Sequence, residues 1–182
     1  MTDDRRILCD GYVWREMRDA DRARLAEIDR QADQLFLETG ITNIMAIATG
    51  PLTPLPAFNT MLDACSVAVA CSADDRPVGF AAVQRLQDDI YLRLLAVDPE
   101  HGRRGIGASL LALTIEIGRQ QGAERCVLST FRDVSFNQPF YQRHGFSELP
   151  RGEATLPVQQ QFKADIPEGI DAAQRLLMAR DL

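Results

Sequence analysis

Two clusters of residues in this chain have types and spacing suited to chemistry. The first reads Asp98-Pro99-Glu100-His101-Gly102-Arg103-Arg104-Gly105-Ile106-Gly107-Ala108-Ser109. Glycines let backbone N–H groups approach a ligand closely, and adjacent arginines add charge suited to phosphate. Ile106, Leu110, Leu113 and Ile117 follow at helical period, so the loop opens a helix. A helix start carries unpaired N–H groups and a partial positive charge, which together attract an anion. The second cluster is Phe140-Tyr141-Gln142-Arg143-His144-Gly145-Phe146. Its tyrosine is either a proton donor or a core residue with a satisfied hydroxyl.

The loop lacks the marks of the common nucleotide binders. A Walker A loop needs Gly-Lys-Ser/Thr, which is missing here. A dinucleotide fingerprint needs a third glycine, where Leu110 stands, and an acidic residue closing the next strand, which Cys126–Phe131 does not supply.

The elements that must position these clusters can be read from patterning. Tyr12–Met17 is a strand candidate, followed by a helix capped by Asp19 or Asp21 and ended near Gly40. Gly50, Pro51, Pro54 and Pro56 break the apolar stretch Ile41–Ala57, which reads as an ordered loop, with Phe58–Cys65 a short helix. Val67–Ser72, Pro77–Leu86 and Ile90–Val97 form an antiparallel meander with turns at Ala73–Arg76 and Gln87–Asp89. Strand, glycine loop, helix to about Gln121 and strand Cys126–Phe131 make a βαβ unit. Asn137–His144 reads as a short helix, Phe146–Leu149 and Leu156–Asp165 as strands, and Asp171–Arg180 as a closing helix. The expected class is α/β (α+β): a mixed central sheet with an antiparallel meander, flanked by helices on both faces. The expected organisation is one domain over 1–182, with 166–182 a C-terminal helical extension. Ala172, Ala173, Leu176 and Leu177 give that helix an apolar side, for its own domain or for a homodimer.

Bulk properties narrow the partners. The 182 residues carry a net charge of -6, which disfavours broad nucleic-acid binding and makes clustered arginines informative. No apolar run reaches membrane-span length, and the charged Met1–Arg6 is unlike a signal peptide, so a cytoplasmic location is expected. Cys9, Cys65, Cys71 and Cys126 form no CxxC pair and have no His at metal spacing, so reduced thiols and no metal are expected.

Leu94-Leu95-Ala96-Val97-Asp98-Pro99-Glu100, continued by Arg103-Arg104-Gly105-Ile106-Gly107-Ala108, resembles the coenzyme A loop of the GNAT N-acetyltransferase superfamily. That pattern runs Gln/Arg-x-x-Gly-x-Gly/Ala, and here Gly102 replaces its first residue. The later aromatic-Tyr pair followed by Gly145-Phe146 resembles a second family motif. The element order agrees from roughly Tyr12 to Asp165.

The resemblance implies acetyl transfer from acetyl-CoA to a primary amine of a small molecule or peptide, by direct attack in a ternary complex. It implies that Gly102, Arg103, Arg104, Gly105, Ile106, Gly107 and Ala108 hold the pyrophosphate, largely through backbone N–H groups. It implies that Leu95, Ala96 and Val97 receive the pantetheine arm as an added strand. Tyr141 is implied as the acid that protonates the leaving thiolate. A thiol has a reference pKa of about 8.5 and a phenol about 10, so the phenol rests protonated and ready. Val134 stands where the family has an Asn contacting coenzyme A, so that role is not carried over. Glu38, Asp63 and Asp89 are base candidates by topology, and His101 and His144 flank the motifs. A non-catalytic acyl-CoA-binding regulatory module is the competing reading, since it needs the loop but not Tyr141.

Overall fold

A computed structural model describes residues 6–182. The chain opens with a hairpin, β1 (Arg6–Cys9) and β2 (Tyr12–Glu16), turned at Gly11 with φ 76°. Helix α1 (Arg22–Asp33) follows, and a 3-10 stretch carries it on to Gly40 at φ 69°. Asp21 stands at its N-cap, but its carboxylate does not cap the helix. It instead accepts from Arg15 Nη1 at 2.6 Å and Nη2 at 3.0 Å, because a guanidinium buried beside it is the stronger partner.

The meander is β3 (Ser66–Cys71), β4 (Pro77–Leu86) and β5 (Asp89–Val97). Helix α4 (Ile106–Gln120) crosses from β5 to β6 (Arg125–Phe131), and α5 (Gln138–Arg143) precedes β7 (Ser147–Leu149). Before the meander lie α2 (Thr42–Thr49) and α3 (Leu55–Asp63). After β7 come α6 (Leu156–Ala164) and β8 (Arg175–Asp181).

Among the described residues these strands form one mixed sheet in the order β1-β2-β3-β4-β5-β6-β8-β7. Only β5 and β6 are parallel. One face carries α4 over Ala81, Val83, Leu92 and Leu128. The other carries α1 and α3 over Val69, Phe80 and Ala96, and α6 over Tyr91, Val127 and Leu177. The mixed sheet covered by helices on both faces is the architecture expected.

Three expectations are corrected. Ile41–Ala57 is not a loop throughout: α2 fits between Gly40 and Gly50, and Pro56 falls in the first turn of α3, where its missing N–H costs nothing. Leu156–Asp165 is a helix rather than a strand, with Pro157 in the first turn and Val158 and Phe162 buried one turn apart. The closing helix and the helical extension over 166–182 are instead a short 3-10 turn and strand β8. Leu176 faces α4 while Leu177 faces α6, so the strand is covered on both sides. A doubly buried strand reads as a continuous apolar run, without the alternation that marks a strand. The apolar side expected of the closing helix is therefore spent largely inside the sheet.

Candidate active site

The parallel pairing of β5 with β6 lasts only from Asp89↔Arg125 to Leu92↔Leu128. Arg93 is then the extra residue of a bulge against β4, while β5 continues beside β4 to Val97. Beyond Leu128, β6 pairs with β8 on its other side. The two strands therefore part, and among the described residues the second half of β5, from Arg93 to Val97, keeps one open edge. Asp98 N–H donates to Val78 O of β4 at 2.8 Å. Strand alternation then sends the Ala96 groups to β4 and turns those of Leu95 and Val97 to the open edge.

The glycine loop begins where that edge ends. Asp98 is 3% exposed; its carboxylate accepts from Glu100 N–H at 2.9 Å and pairs with Arg24 of α1. Pro99–His101 forms a 3-10 turn, Arg103 takes φ 59°, and Gly105 takes φ 81° at the N-cap of α4. None of the N–H groups from Arg103 to Ala108 donates to a backbone carbonyl among the described residues. Successive free N–H groups at a helix start form a concave anion site. Gly102 lies outside this run and itself donates to Pro99 O at 3.0 Å.

The second cluster meets the loop directly. A Cβ on Gly107 would sit 3.7 Å from Val97 Cγ2 and 4.0 Å from Phe140 Cζ, so β5, the loop and α5 converge there. Phe140 and Tyr141 rings lie 5.1 Å apart and Tyr141 and Phe146 5.8 Å. Gly145, at φ 82°, ends the turn and lets Phe146 N–H bond to Tyr141 O at 3.1 Å. Tyr141 is half-buried, and this desolvation holds its phenol above the ordinary tyrosine range, so it rests protonated. Val134, at the position of the family's Asn, is 1% exposed and packs with Ile44 and Phe131.

The other face of the parting strands holds residues that sequence reasoning missed. Asp29 and Asp33 are one turn apart on α1, and neither has a salt bridge or hydrogen bond among the described residues. Phe36 projects from the same side of the chain and meets Phe131 of β6 edge-on at 5.3 Å. Asp29 and Asp33 precede Phe36 by seven and three residues, close to whole helical turns. Burial, with help from Asp33, pushes Asp29 up to about 7, and burial pushes Asp33 up to about 6. The signal available in the sequence was an acidic i,i+4 pair beside an apolar stripe, indistinguishable from a solvated helix flank. Arg175 of β8 is 9% exposed; it donates to Ser129 Oγ at 2.7 Å and stacks 4.4 Å over Phe131.

The base candidates named from topology are placed differently. Asp63 pairs with Arg22 at 2.6 Å, and Asp89, 1% exposed, holds Arg125 through both oxygens. Glu38 is exposed on the 3-10 stretch after α1. His101 bonds to Tyr12, and His144 accepts from Arg180 through its carbonyl. Burial raises the thiols of Cys65, Cys71 and Cys126, the last two to about 11 and about 12. None of the three is poised as a thiolate nucleophile. No cluster of His, Cys, Asp and Glu suited to a metal occurs among the described residues. No described helix is long and apolar enough to cross a membrane.

The acetyltransferase (GNAT) family model matches residues 46–146. Solved structures of the same fold include the PaiA N-acetyltransferase of Thermoplasma acidophilum in complex with coenzyme A. It is 17% identical, with 94% of this chain and 99% of that chain covered and a TM-score of 0.69. The ribosomal-protein-S18-alanine N-acetyltransferase of Escherichia coli is also 17% identical, covering 93% of each chain with a TM-score of 0.67. The N-acetylglutamate synthase of Neisseria gonorrhoeae, complexed with coenzyme A and N-acetyl-glutamate, is 17% identical with a TM-score of 0.68. There 94% of this chain is covered but only 35% of the larger one.

Proposed function

The chain belongs to the acetyltransferase (GNAT) family and is an acetyl-CoA-dependent N-acetyltransferase; from that premise we propose that it acetylates a primary amine held in the gap between β5 and β6, by direct attack. The observation that carries this reading is the convergence of three features at Gly107: the open edge of β5, the run of free N–H groups and the Tyr141 helix.

The acyl donor supplies a thioester carbonyl, electrophilic at carbon. Leu95 and Val97 receive the pantetheine amides along the β5 edge, with Ala96 fixing that edge to β4. The N–H groups of Arg103 to Ala108 hold the pyrophosphate, and the Arg103 side chain adds charge. Asp29, supported by Asp33, attracts the ammonium form of the acceptor and takes its proton. The amine nitrogen then bonds to the carbonyl carbon as the carbon–sulfur bond breaks; Tyr141 Oη delivers its proton to sulfur, and the second proton of the acylated nitrogen returns through water to the phenolate, leaving a neutral amide. Thiols that burial holds protonated favour this direct route over an acyl-cysteine.

Among the structural neighbours, one name specifies an alanine of ribosomal protein S18 and another N-acetylglutamate. On this reading the acceptor is recognised by the side chains of the gap. Here Phe36 packs against Phe136 and edge-on against the buried Phe131, just beyond the helix that carries the acidic pair. That combination suits an amine on an apolar or aromatic carrier, as a small molecule or peptide. The described strands share one sheet, and the chain reads as a single acetyltransferase domain.

The test is thiol release from acetyl-CoA across a panel of amines, with products identified by mass. Acetylated apolar amines, and loss of turnover in Tyr141→Phe, are expected. Tight coenzyme A binding with no turnover on any amine overturns the catalytic reading in favour of a regulatory module.

A further inference from the structure

Tyr12, from the N-terminal hairpin, forms a hydrogen-bonded cluster with two residues of the glycine loop, His101 and Arg104. Tyr12 of β2 is 8% exposed, and its hydroxyl lies 2.9 Å from His101 Nδ1. Arg104 Nη1 donates to the same hydroxyl at 3.1 Å, and Arg104 Nη2 donates to Glu100 O at 3.4 Å. The Tyr12 and His101 rings meet edge-on at 5.7 Å and 83°. One phenol thus grips the loop at two points three residues apart. Between them Arg103 takes φ 59°, a conformation uncommon for a residue with a Cβ. The exposed Arg103 side chain has no partner among the described residues.

We propose that Tyr12 is a positioning residue for the acyl donor: it braces the loop through His101 and Arg104, so that the N–H groups from Arg103 onward are aimed before the pyrophosphate arrives. This rests on the reading of that loop as the pyrophosphate holder. Six neighbouring N–H groups without carbonyl partners have no bonds of their own to keep them convergent. An outside tether removes the ordering cost from the binding step. The brace also divides the two arginines. Arg104 spends its guanidinium holding the loop, and Arg103 is the cation left for phosphate.

The experiment compares acetyl-CoA with S-acetyl-pantetheine, which carries the same thioester and arm but no pyrophosphate. Tyr12→Phe keeps the ring and its packing and removes only the hydroxyl. Its KM for acetyl-CoA is expected to rise about ten-fold, as for the loss of one or two hydrogen bonds, with kcat little changed. Its kcat/KM on S-acetyl-pantetheine is expected to match wild type. Arg104→Ala should raise the same KM, and the double variant should be no worse than the worse single one, since both break one brace. An unchanged acetyl-CoA KM in Tyr12→Phe, in a wild-type background that strongly prefers acetyl-CoA, overturns the brace alone. Equal losses on both donors overturn it too, as the mark of general destabilisation. A wild-type enzyme that uses both donors equally well overturns the reading of the loop itself, and the brace with it.

Discussion

Leu92 of β5 and Leu128 of β6 are the last residues at which the two parallel strands remain paired. One residue on, Arg93 is pushed out as a bulge against β4 and the strands part. Arg93 also bridges the opening, donating to Gln84 Oε1 and Asp165 Oδ1 at 3.1 Å each. The gap is therefore a consequence of backbone register, secured by one side chain that reaches from its floor to the end of α6.

Tyr141→Phe tests the acid role at this gap. The expected outcome is a fall in kcat of roughly 10²- to 10⁴-fold, the range for losing a positioned general acid. Coenzyme A affinity, measured by calorimetry, should be nearly unchanged, because the ring contacts to Phe140 and Phe146 persist. A variant with wild-type kcat assigns Tyr141 to packing.

Gly105 tests the backbone of the loop. A Cβ there would touch nothing within 4 Å, yet φ is 81°, so any penalty comes from conformation alone. Gly105→Ala should cost about 1–2 kcal/mol of stability and weaken coenzyme A binding, read by melting and calorimetry. Gly105→Asn, better suited to a left-handed conformation, should recover part of both. Equal behaviour of the two variants sinks the conformational explanation.

Asp29 links pH to activity and to stability. Its pKa is raised to about 7 from an ordinary 3.8. The base proposed at Asp29 works when ionised, so kcat/KM is expected to climb with pH through about 7, and Asp29→Asn to lose both the rate and that limb. For stability, a raised folded pKa gives a contribution that is full below about 3.8 and lost as pH rises through about 7. Wild-type Tm should fall between pH 5 and pH 8, and Asp29→Asn should flatten that fall. A wild-type Tm that rises over this interval contradicts the assignment.

Arg15 and Asp21 anchor the far side of the fold, with side chains 2% and 7% exposed. Asp21→Ala leaves a buried guanidinium with Asp75, which still accepts at 2.9 Å, and the Glu16 carbonyl at 3.1 Å. The expected loss in urea unfolding is about 3 kcal/mol, the low end for a broken buried pair. Burial pushes the Asp21 carboxyl up, but hydrogen bonds from Arg15 and Arg18 outweigh it and hold the group below its ordinary value. Its contribution is therefore present above the ordinary Asp range and is lost as pH falls through the depressed one.

Elements governed by local rules were legible in the sequence. The meander could be read because its turns fall at Ala73–Arg76 and Gln87–Asp89, and α4 because a glycine start precedes a 3.6-residue apolar period. Two late elements were exchanged for a reason that lies outside their own residues. Val158 and Phe162 of α6 are too few apolar positions to declare a period, and Leu176-Leu177-Met178 of β8 are apolar on both faces because helices cover both.

The sequence by itself determined the strand–loop–helix around Arg103–Ala108, the aromatic turn at Tyr141 and membership of an acyl-transferring family, since each depends on short-range spacing. Tertiary structure alone decided where β5 and β6 part, that Asp29 and Asp33 are desolvated, and that Tyr12 reaches the loop across 89 residues of chain. Those facts depend on which strands become neighbours and on how much water is excluded between them. Pairing and desolvation are properties of the assembled sheet, and no window of contiguous residues contains them.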